Sequence, residues 1–294
     1  MKITNSIMNY PERGKWGNPK WRGNCSGYVI YNLLDTFKPK KFVEVFSGGG
    51  TGQAVAQDLG YQNSIHLDLV NGWDALTDEI PCASDFVFSH PPYYDIIDYN
   101  KQRGSYNPHD LSNKMPYNQF ITLLDKVNEN IYNSLEKGGR HAFLVGDVRK
   151  AGKYYSIIKD MTWFGDLEDH IIKIQHNTST ANKNYANRSS NPLIRITHEH
   201  LLIFRKNELW CMNIKYTKDF NADIRQLKNI TWHDLIRTAM EQLGKTAYLK
   251  DLYELLEGAK KAQNNQNWQA KIRQTLEIHP DFQNIDRGKY QLIA

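Results

Sequence analysis

The sequence predicts an α/β protein built on a mostly parallel, Rossmann-like sheet, followed by a small C-terminal winged helix-turn-helix unit. Before residue 207, short apolar runs typical of strands alternate with stretches whose apolar residues recur at helical spacing. That alternation is typical of a parallel sheet covered by helices on both faces. After residue 230 the pattern changes to three helices and a terminal hairpin.

The first part of the chain supplies three predicted strands, each followed by polar or glycine-rich residues. A helix over Gly27–Phe37 precedes the strand Lys41–Phe46, and a glycine turn then leads into a helix over Gln53–Leu59. Two further strands follow, Ser64–Leu69 and Ser84–Ser89. Parallel strands bring their carboxyl ends to one edge of the sheet, where ligands bind.

The next part predicts one long helix and three strands. Apolar residues recur at helical spacing over Tyr117–Ser134, and Gly138-Gly139 is expected to separate that helix from the strand His141–Val145. Two more strands are predicted at Asp169–Gln175 and His200–Arg205. The segment between them contains few apolar residues and predicts a long polar loop, a feature that is usually functional or mobile.

Charge is unevenly distributed along the chain. The formal net charge of +5 permits nucleic-acid binding without requiring it. Residues 173–206, however, hold six Lys and Arg and a single acid, Glu199. This excess predicts a phosphate-facing segment, with a solvated loop as the alternative.

The C-terminal part predicts a winged helix-turn-helix. Residues 207–230 are expected to form a connector with one short strand, and Thr231 is a plausible N-cap for a helix ending at Gly244. Helices over Leu249–Lys260 and Asn267–Ile278 and a hairpin over residues 282–293 follow. The third helix offers side chains of the types that read DNA grooves, or an ordinary polar face for protein packing: Asn267, Gln269, Lys271, Arg273 and Gln274.

Composition excludes several classes of protein. The 294 residues are 40% apolar and 12% aromatic, which excludes a fully disordered chain. No apolar run approaches the roughly 18 residues that a membrane helix needs, and the N-terminus lacks the apolar core of a signal peptide. The three widely spaced cysteines favour neither a disulfide framework nor a zinc site. We therefore expect a cytoplasmic protein without a membrane partner or a metal.

The first chemical motif is the sequence FVEVFSGGGTG at Phe42–Gly52. A strand, a glycine turn and a helix let the backbone approach a ligand closely, and this predicts a nucleotide-like ligand. The motif lacks the lysine of a phosphate-binding loop and the glycine spacing of a dinucleotide site. Asp68, at the end of the next strand, is placed to bind ribose hydroxyls, although it could also cap the strand end.

The second motif is His90-Pro91-Pro92-Tyr93, directly after an apolar strand. Two prolines fix φ and remove two N–H donors, which leaves their carbonyls as rigid acceptors. His90 and the Pro91 carbonyl could accept the hydrogens of an exocyclic amino group while Tyr93 stacks on the base that carries it. A Pro-Pro turn without chemistry is the alternative.

Together, Phe46-Ser47-Gly48-Gly49-Gly50-Thr51 and His90-Pro91-Pro92-Tyr93 resemble the motifs of S-adenosylmethionine-dependent DNA amino-methyltransferases. This resemblance covers roughly Arg13 to Lys206. It implies S-adenosyl-L-methionine as cofactor and double-stranded DNA as substrate. The methyl group would pass directly to an amino group of a flipped base, adenine N6 favoured over cytosine N4.

The resemblance also implies roles for individual residues. In place of the family's Asp, Asn or Ser, this sequence has His90, whose neutral imidazole can still accept one hydrogen bond. Catalytic roles fall on His90, Pro91, Pro92 and Tyr93. Asn24, Cys25 and Ser26 would cradle the methionine end of the cofactor, and Asp74 would lie near its adenine. The other cofactor-binding residues are Glu44, Phe46, Ser47, Gly48, Gly50, Thr51 and Asp68.

The resemblance and the C-terminal pattern together predict a domain plan. Residues 1–208 would form the methyltransferase domain, with a target-recognition loop at about 165–200. Residues 209–230 would be a linker, and 231–294 the winged helix. A cognate restriction endonuclease would be a partner typical of the family, and the protein is expected to be a monomer or homodimer. The alternatives are an RNA or protein amino-methyltransferase, or a non-catalytic DNA-binding regulator.

Overall fold

Strands and helices alternate along most of the chain in the computed structural model, which describes residues 2–176, 194–215 and 219–293. The helices are α1 (Gly27–Phe37), α2 (Thr51–Asp58), α3 (Tyr99–Arg103), α4 (Tyr117–Ser134), α5 (Ile157–Asp160), α6 (Trp232–Gln242), α7 (Leu249–Leu256), α8 (Lys260–Gln263) and α9 (Trp268–Ile278). The strands are β1 (Ile7–Asn9), β2 (Phe42–Val45), β3 (Ile65–Leu67), β4 (Ser84–Ser89), β5 (Leu135–Val145), β6 (Val148–Lys150), β7 (Lys153–Tyr155), β8 (Trp163–Phe164), β9 (Asp166–Ile174), β10 (His198–Arg205), β11 (Cys211–Lys215), β12 (Asp219–Asp223), β13 (Thr246–Tyr248), β14 (Phe282–Asp286) and β15 (Lys289–Leu292).

A seven-stranded sheet in the order β1-β9-β10-β5-β4-β2-β3 forms the centre of the larger part of the molecule. Strands β3, β2, β4 and β5 are parallel neighbours, and β1 is parallel to β9. Strand β10 runs antiparallel to both β5 and β9. The predicted mostly parallel, Rossmann-like α/β sheet is therefore confirmed.

Two hydrophobic layers cover the sheet because side chains alternate along each strand. In β5, Phe143 and Val145 pack into one layer, while Ala142 and Leu144 pack into the other. Helix α4 covers the first layer, and α1 and α2 cover the second. Within the described ranges, no helix is long and apolar enough to cross a bilayer.

Several predicted boundaries differ from the observed ones. Gly138 and Gly139 lie inside β5 rather than before it, because both exchange backbone hydrogen bonds with Lys206 at the end of β10. The expected single strand of the connector is two strands, because β11 pairs with β8 on one side and with β12 on the other. The expected helix Leu249–Lys260 ends at Leu256, and a separate short helix follows.

The expected target-recognition loop at 165–200 is mostly strand where it is described. Its first part is β9, and His198 begins β10, so both ends belong to the central sheet. Residues 177–193, about half of the segment predicted to read a target, lie outside the described part of the chain.

The C-terminal residues form three principal helices and a three-stranded antiparallel sheet. Helices α6, α7 and α9 pack with the sheet β13-β15-β14 around a common apolar core. Thr231 is the N-cap of α6 as predicted, and its hydroxyl accepts a hydrogen bond from the Asp234 backbone at 3.0 Å. The predicted helices and hairpin are present, together with the additional strand β13.

Two buried basic side chains bind carbonyls at the end of α4, and one of them, Arg237, joins the C-terminal part to this helix. The Arg237 guanidinium donates to the Asn133 carbonyl and, at 2.8 Å, to the Leu135 carbonyl. Lys206 Nζ donates to the same Leu135 carbonyl at 2.9 Å, and burial lowers the pKa of Lys206 to about 7. The last carbonyls of a helix lack intrahelical partners, and cations at that end are favourable. The joint therefore satisfies groups that would otherwise be buried without partners.

His233 forms a second joint between the two parts. Its Nε2 lies 3.1 Å from Asp281 Oδ2, which also accepts from the Ala83 backbone at 3.0 Å. Burial alone would lower the pKa of His233, but hydrogen bonds to Asp234 and Asp281 raise it to about 9. The imidazole is therefore charged at neutral pH.

We predict that His233→Gln removes a pH-dependent part of the stability. The folded pKa lies above the unfolded value of about 6.5, so the contribution is complete below pH 6.5 and is lost as the pH rises through 9. The free energy of unfolding should differ between wild type and variant by on the order of 3 kcal/mol at pH 6. The difference should shrink towards pH 10 in urea titrations.

Lys206 also makes stability depend on pH, because its lowered pKa makes the free energy of unfolding rise with pH, opposite to the effect of His233. Both proteins contain Lys206, so its contribution cancels when the two free energies are subtracted. The exposed His176→Gln is the matched control and should show no such change. A difference that does not change with pH would contradict a charged His233.

Candidate functional site

Three loops meet at the carboxyl ends of β2, β3 and β4. Val45 pairs with both Leu67 and Ser89, so the next residues, Phe46, Asp68 and His90, leave the sheet side by side. The backbone N–H groups of residues 46 and 47 both donate to the Leu67 carbonyl. The sequence prediction that these motifs share one sheet edge agrees with this geometry.

Asp68 holds the glycine turn in place. Its Oδ2 accepts from the Gly48 N–H and its Oδ1 from the Val70 N–H, both at 2.9 Å. Gly48 has φ +47°, and a Cβ there would lie 2.7 Å from Trp21 Nε1, so only glycine fits this position easily. Burial raises the pKa of Asp68, although its two backbone hydrogen bonds act in the opposite direction.

The remaining donors of the turn are also used internally. The Gly49 N–H donates to Asn24 Oδ1 at 3.3 Å, and the Gly50 N–H donates to the Ser47 carbonyl at 2.9 Å. Thr51, the first residue of α2, accepts from the Arg13 guanidinium at 3.1 Å. The turn therefore presents no row of unpaired N–H groups of the kind that binds phosphate.

Glu44 supports the turn from below and does not line the cavities described next. Its carboxylate lies 2.7 Å from His66 Nδ1 and accepts from the Gly52 backbone. Burial raises the pKa of Glu44 more than these two hydrogen bonds lower it. A Cβ at Gly52 would overlap the carboxylate, so α2 begins in direct contact with it.

Asn24, Cys25 and Ser26 occupy three different environments. Asn24 faces the site, whereas Cys25 is packed in the hydrophobic core, where burial raises the pKa of its thiol to about 12. Ser26 is the N-cap of α1, and its hydroxyl donates to the Arg13 carbonyl at 3.2 Å. Ser26 also lines the second of the two cavities described below.

The first cavity lies over the glycine turn. The Asp74 carboxylate contacts His109 Nδ1 there, and Arg103 is paired with Asp110 at 2.6 Å. Its walls combine carboxylates with aromatic and apolar side chains, among them Trp21, Phe46, Asp68, Leu69, Trp73, Asp74 and Leu76.

The second cavity has a volume of about 540 Å³ and lies on the other side of His90. Arg13, Arg22 and Lys173 contribute positive charge to its walls, and Glu12 and Glu199 contribute the opposite charge. The residues that line both cavities are Gly23, Asn24, His90 and Tyr99. His90 is the one of these four that belongs to a predicted catalytic motif.

The His90-Pro91-Pro92-Tyr93 turn divides its residues between the cavities. Pro92 lines the first, Pro91 and Tyr93 line the second, and His90 lines both. His90 Nε2 lies 2.8 Å from the Tyr93 hydroxyl. Burial lowers the pKa of His90 to about 4, so its imidazole is neutral at pH 7.

Glu199 and Lys173 are site residues that the sequence did not predict. The Tyr93 hydroxyl donates to Glu199 Oε1 at 2.7 Å, and Lys173 Nζ lies 2.5 Å from Glu199 Oε2. The two residues face each other across β9 and β10. The strand register would have revealed this pair, but register cannot be read from composition or charge.

Other polar candidates near this edge bind one another. His200 Nδ1 lies 3.0 Å from His170 Nε2, and His200 Nε2 lies 3.5 Å from Asp147. Asp147 accepts from the backbone of Ile157 at 3.0 Å. In residues 2–176, 194–215 and 219–293, no three His, Cys, Asp or Glu side chains converge as metal ligands would.

No known protein family and no curated protein matches the chain. Solved structures are similar to part of it. TrmN from Thermus thermophilus has 15% identity and a TM-score of 0.36, covering 63% of this chain and 50% of its own.

Two further solved structures are similar over comparable parts of the chain. A candidate DNA modification methylase of Thermus thermophilus, in complex with S-adenosyl-L-methionine, has 18% identity and a TM-score of 0.31, covering 57% of this chain and 56% of its own. The N-methyltransferase NodS from Bradyrhizobium japonicum, in complex with S-adenosyl-L-homocysteine, has 12% identity and a TM-score of 0.34, covering 62% and 86%. The chain spans about half the length of the two Thermus proteins.

We predict that Gly52→Ala destabilises the fold, because its methyl group would overlap the Glu44 carboxylate. Overpacking of this kind costs about 1–3 kcal/mol, measurable by urea unfolding. Gly258→Ala is the matched control, since its Cβ would have nothing within 4 Å. Equal stability of the two variants would show that α2 does not press on Glu44.

Proposed function

We propose that the protein is an S-adenosyl-L-methionine-dependent DNA methyltransferase acting on an exocyclic amino group, adenine N6 favoured over cytosine N4. One observation carries the proposal: two cavities of different character meet at His90, beside consecutive prolines at the end of a parallel strand. Group transfer between two ligands requires a donor and an acceptor site that meet at one point.

The side chains that line the first cavity suit a cofactor that carries a nucleoside and no phosphate. Each Asp68 oxygen has one backbone donor and keeps lone-pair capacity for a ribose hydroxyl. The N–H groups of the turn are occupied, and the lining guanidinium of Arg103 is already paired with Asp110. Carboxylates would repel a pyrophosphate but attract a sulfonium cation.

We infer that the cofactor's adenine lies among the aromatic and apolar side chains near Asp74. Trp73 and Leu76 line that part of the first cavity and provide flat, apolar contact area. Asn24, which lines both cavities, would meet the methionine end. Glu44, Ser47 and Thr51 would act indirectly, by shaping the turn, and Cys25 by packing beneath it.

Bound S-adenosyl-L-methionine would supply an electrophilic methyl group. The neutral imidazole of His90 accepts a hydrogen bond from the target amino group, and the Pro91 carbonyl accepts another. Neither proline has an N–H that could compete for these acceptors. Accepting both hydrogens draws the amino nitrogen towards a tetrahedral geometry and frees its lone pair to attack the methyl carbon. The S–C bond would break as the N–C bond forms, which leaves a neutral thioether. His90 would take the proton that the methylated nitrogen releases.

We infer that the second cavity takes a base flipped out of double-stranded DNA. Its volume and its basic walls, which include Arg13 and Arg22, support a nucleotide, and Tyr93 provides a ring for stacking. We further propose that residues 231–294 form a winged helix whose α9 contacts the duplex. A cognate restriction endonuclease would be its partner.

A methyl-transfer assay tests the function. Purified protein, isotopically labelled S-adenosyl-L-methionine and unmodified genomic DNA would be incubated, with RNA in parallel, and the nucleosides resolved by mass. We expect label in N6-methyladenine or N4-methylcytosine from DNA. Label in RNA alone would refute DNA as the substrate. A protein that binds the cofactor but transfers no methyl group would favour a non-catalytic DNA-binding regulator.

We predict that His90→Ala impairs methyl transfer, whereas Asp68→Ala impairs cofactor binding. His90→Ala should lower kcat by about 10²–10⁴-fold with the cofactor Kd nearly unchanged, since it removes the acceptor for the target. Asp68→Ala should weaken cofactor binding by at least about tenfold, because a charged hydrogen-bond acceptor is lost. Calorimetry and single-turnover kinetics separate the two effects. The assignment fails if both variants lose the same property.

We predict that Arg273→Glu weakens DNA binding. Arg273 is exposed on α9, and losing one phosphate contact should lower affinity several-fold and reduce the salt slope by about one. Lys126→Glu, on the exposed side of α4, makes the same change in net charge elsewhere and is the control. Equal losses in both variants, measured by fluorescence anisotropy, would show that only net charge matters.

A further inference from the structure

We propose that Lys173, Glu199 and Tyr93 form a hydrogen-bond relay that fixes the tautomer of His90, leaving Nδ1 as the acceptor for the target amino group. Lys173 and Glu199 would then be positioning residues that act through His90. The Tyr93 hydroxyl would have the same role, beside the stacking proposed for the Tyr93 ring. This inference rests on the proposed function and deepens it, because it assigns the atom of His90 that receives the amino hydrogen.

The direction of the relay is set at its far end. Lys173 Nζ can only donate, and it lies 2.5 Å from Glu199 Oε2. Burial would raise the pKa of Glu199, but the Lys173 ammonium and the hydrogen bond from the Tyr93 hydroxyl lower it. Glu199 is therefore an ionised carboxylate at neutral pH and can only accept.

The hydroxyl of Tyr93 transmits that direction to His90. A phenol has a single hydrogen, and Tyr93 donates it to Glu199 Oε1 at 2.7 Å. The phenol oxygen can then only accept from His90 Nε2, 2.8 Å away. A neutral imidazole carries one hydrogen, so Nε2 is protonated and Nδ1 is bare.

The bare nitrogen is available to a ligand. No group in the described ranges forms a hydrogen bond with His90 Nδ1, and His90 lines both cavities. In the other tautomer, an N–H on Nδ1 would face the N–H of the amino group and repel it. The relay therefore selects the one tautomer that can accept.

The fold holds the relay firmly. Lys173 and Glu199 are cross-strand neighbours in the central sheet, and each has a mostly buried side chain. The Tyr93 ring packs against Gly146, where a Cβ would lie 2.6 Å from the ring. The sheet thus holds Lys173 and Glu199 in place, and packing against Gly146 holds Tyr93.

The relay also gives a physical reason for a histidine at this position. A carboxylate, amide or hydroxyl oxygen accepts hydrogen bonds in every protonation arrangement available to it at neutral pH. An imidazole accepts at a given nitrogen in only one of its two neutral tautomers. A histidine acceptor therefore needs a partner that fixes the tautomer, and Tyr93 with Glu199 is such a partner.

Glu199→Gln tests the relay by reversing it. The glutamine oxygen would face Lys173, and its NH2 group would donate to the Tyr93 oxygen. Tyr93 would then donate to His90 Nε2, which moves the imidazole hydrogen to Nδ1. Tyr93→Phe is the second variant, since it keeps the ring and removes the hydroxyl, so both tautomers should be populated.

The measurement is the ¹⁵N spectrum of histidine-labelled full-length protein, with His90 assigned by its absence in His90→Gln. Wild type should show Nε2–H, Glu199→Gln should show Nδ1–H, and Tyr93→Phe should show a mixture. In single-turnover assays both variants should lower kcat by about tenfold or more, with the KM for S-adenosyl-L-methionine unchanged. Glu168→Gln, which breaks a pair with Arg140 on the same sheet, is the control and should leave both readouts as in wild type.

The spectrum needs no turnover, so the two proposals can fail separately. An Nδ1-protonated His90 in wild type, or a Glu199→Gln protein with the wild-type tautomer and kcat, would overturn the relay. The other outcome is a wild-type His90 protonated on Nε2 whose proton moves to Nδ1 in Glu199→Gln, in a protein that methylates nothing. That result would refute the proposed function and the positioning role of the relay in it. The order of the hydrogen bonds would stand.

Discussion

The register of three parallel strands is the constraint on which the site depends. Because Val45 lies opposite both Leu67 and Ser89, the three following residues emerge together at one edge of the sheet. One of them begins the glycine turn, the second is the carboxylate that holds it, and the third is His90. A shift of one residue in either pairing would turn these side chains to opposite faces and separate the two cavities.

Burial and charge give the two cavities on either side of His90 different chemical characters. Carboxylates and aromatic rings line the first cavity, basic groups contribute to the second, and a neutral imidazole stands between them. The hydrogen bonds that hold the frame also use up its donors: Asp68 binds the turn, and Glu199 binds Tyr93. What remains available to ligands is chiefly acceptor capacity, which suits ribose hydroxyls on one side and an amino group on the other.

Local sequence signals were enough to predict most helices and strands and to find the two motifs. The bounds of α1 and β4 match their predictions because each has a nearby stop or start: the Ser26 cap for α1 and the paired prolines after β4. What the sequence could not provide was long-range pairing. Lys173 opposite Glu199, and β11 beside β8, depend on strand register between distant segments. Glu44, predicted at the cofactor, lies beneath the turn, where its carboxylate contacts His66 and Gly52.

The most direct test of the account is a crystal structure of the protein grown with S-adenosyl-L-homocysteine. We predict the ribose hydroxyls on Asp68, the adenine near Asp74 and Trp73, and the sulfur end of the ligand directed towards His90. A ligand bound in the second cavity, or one whose sulfur points away from His90, would contradict the central claim that a donor site and an acceptor site meet at this residue.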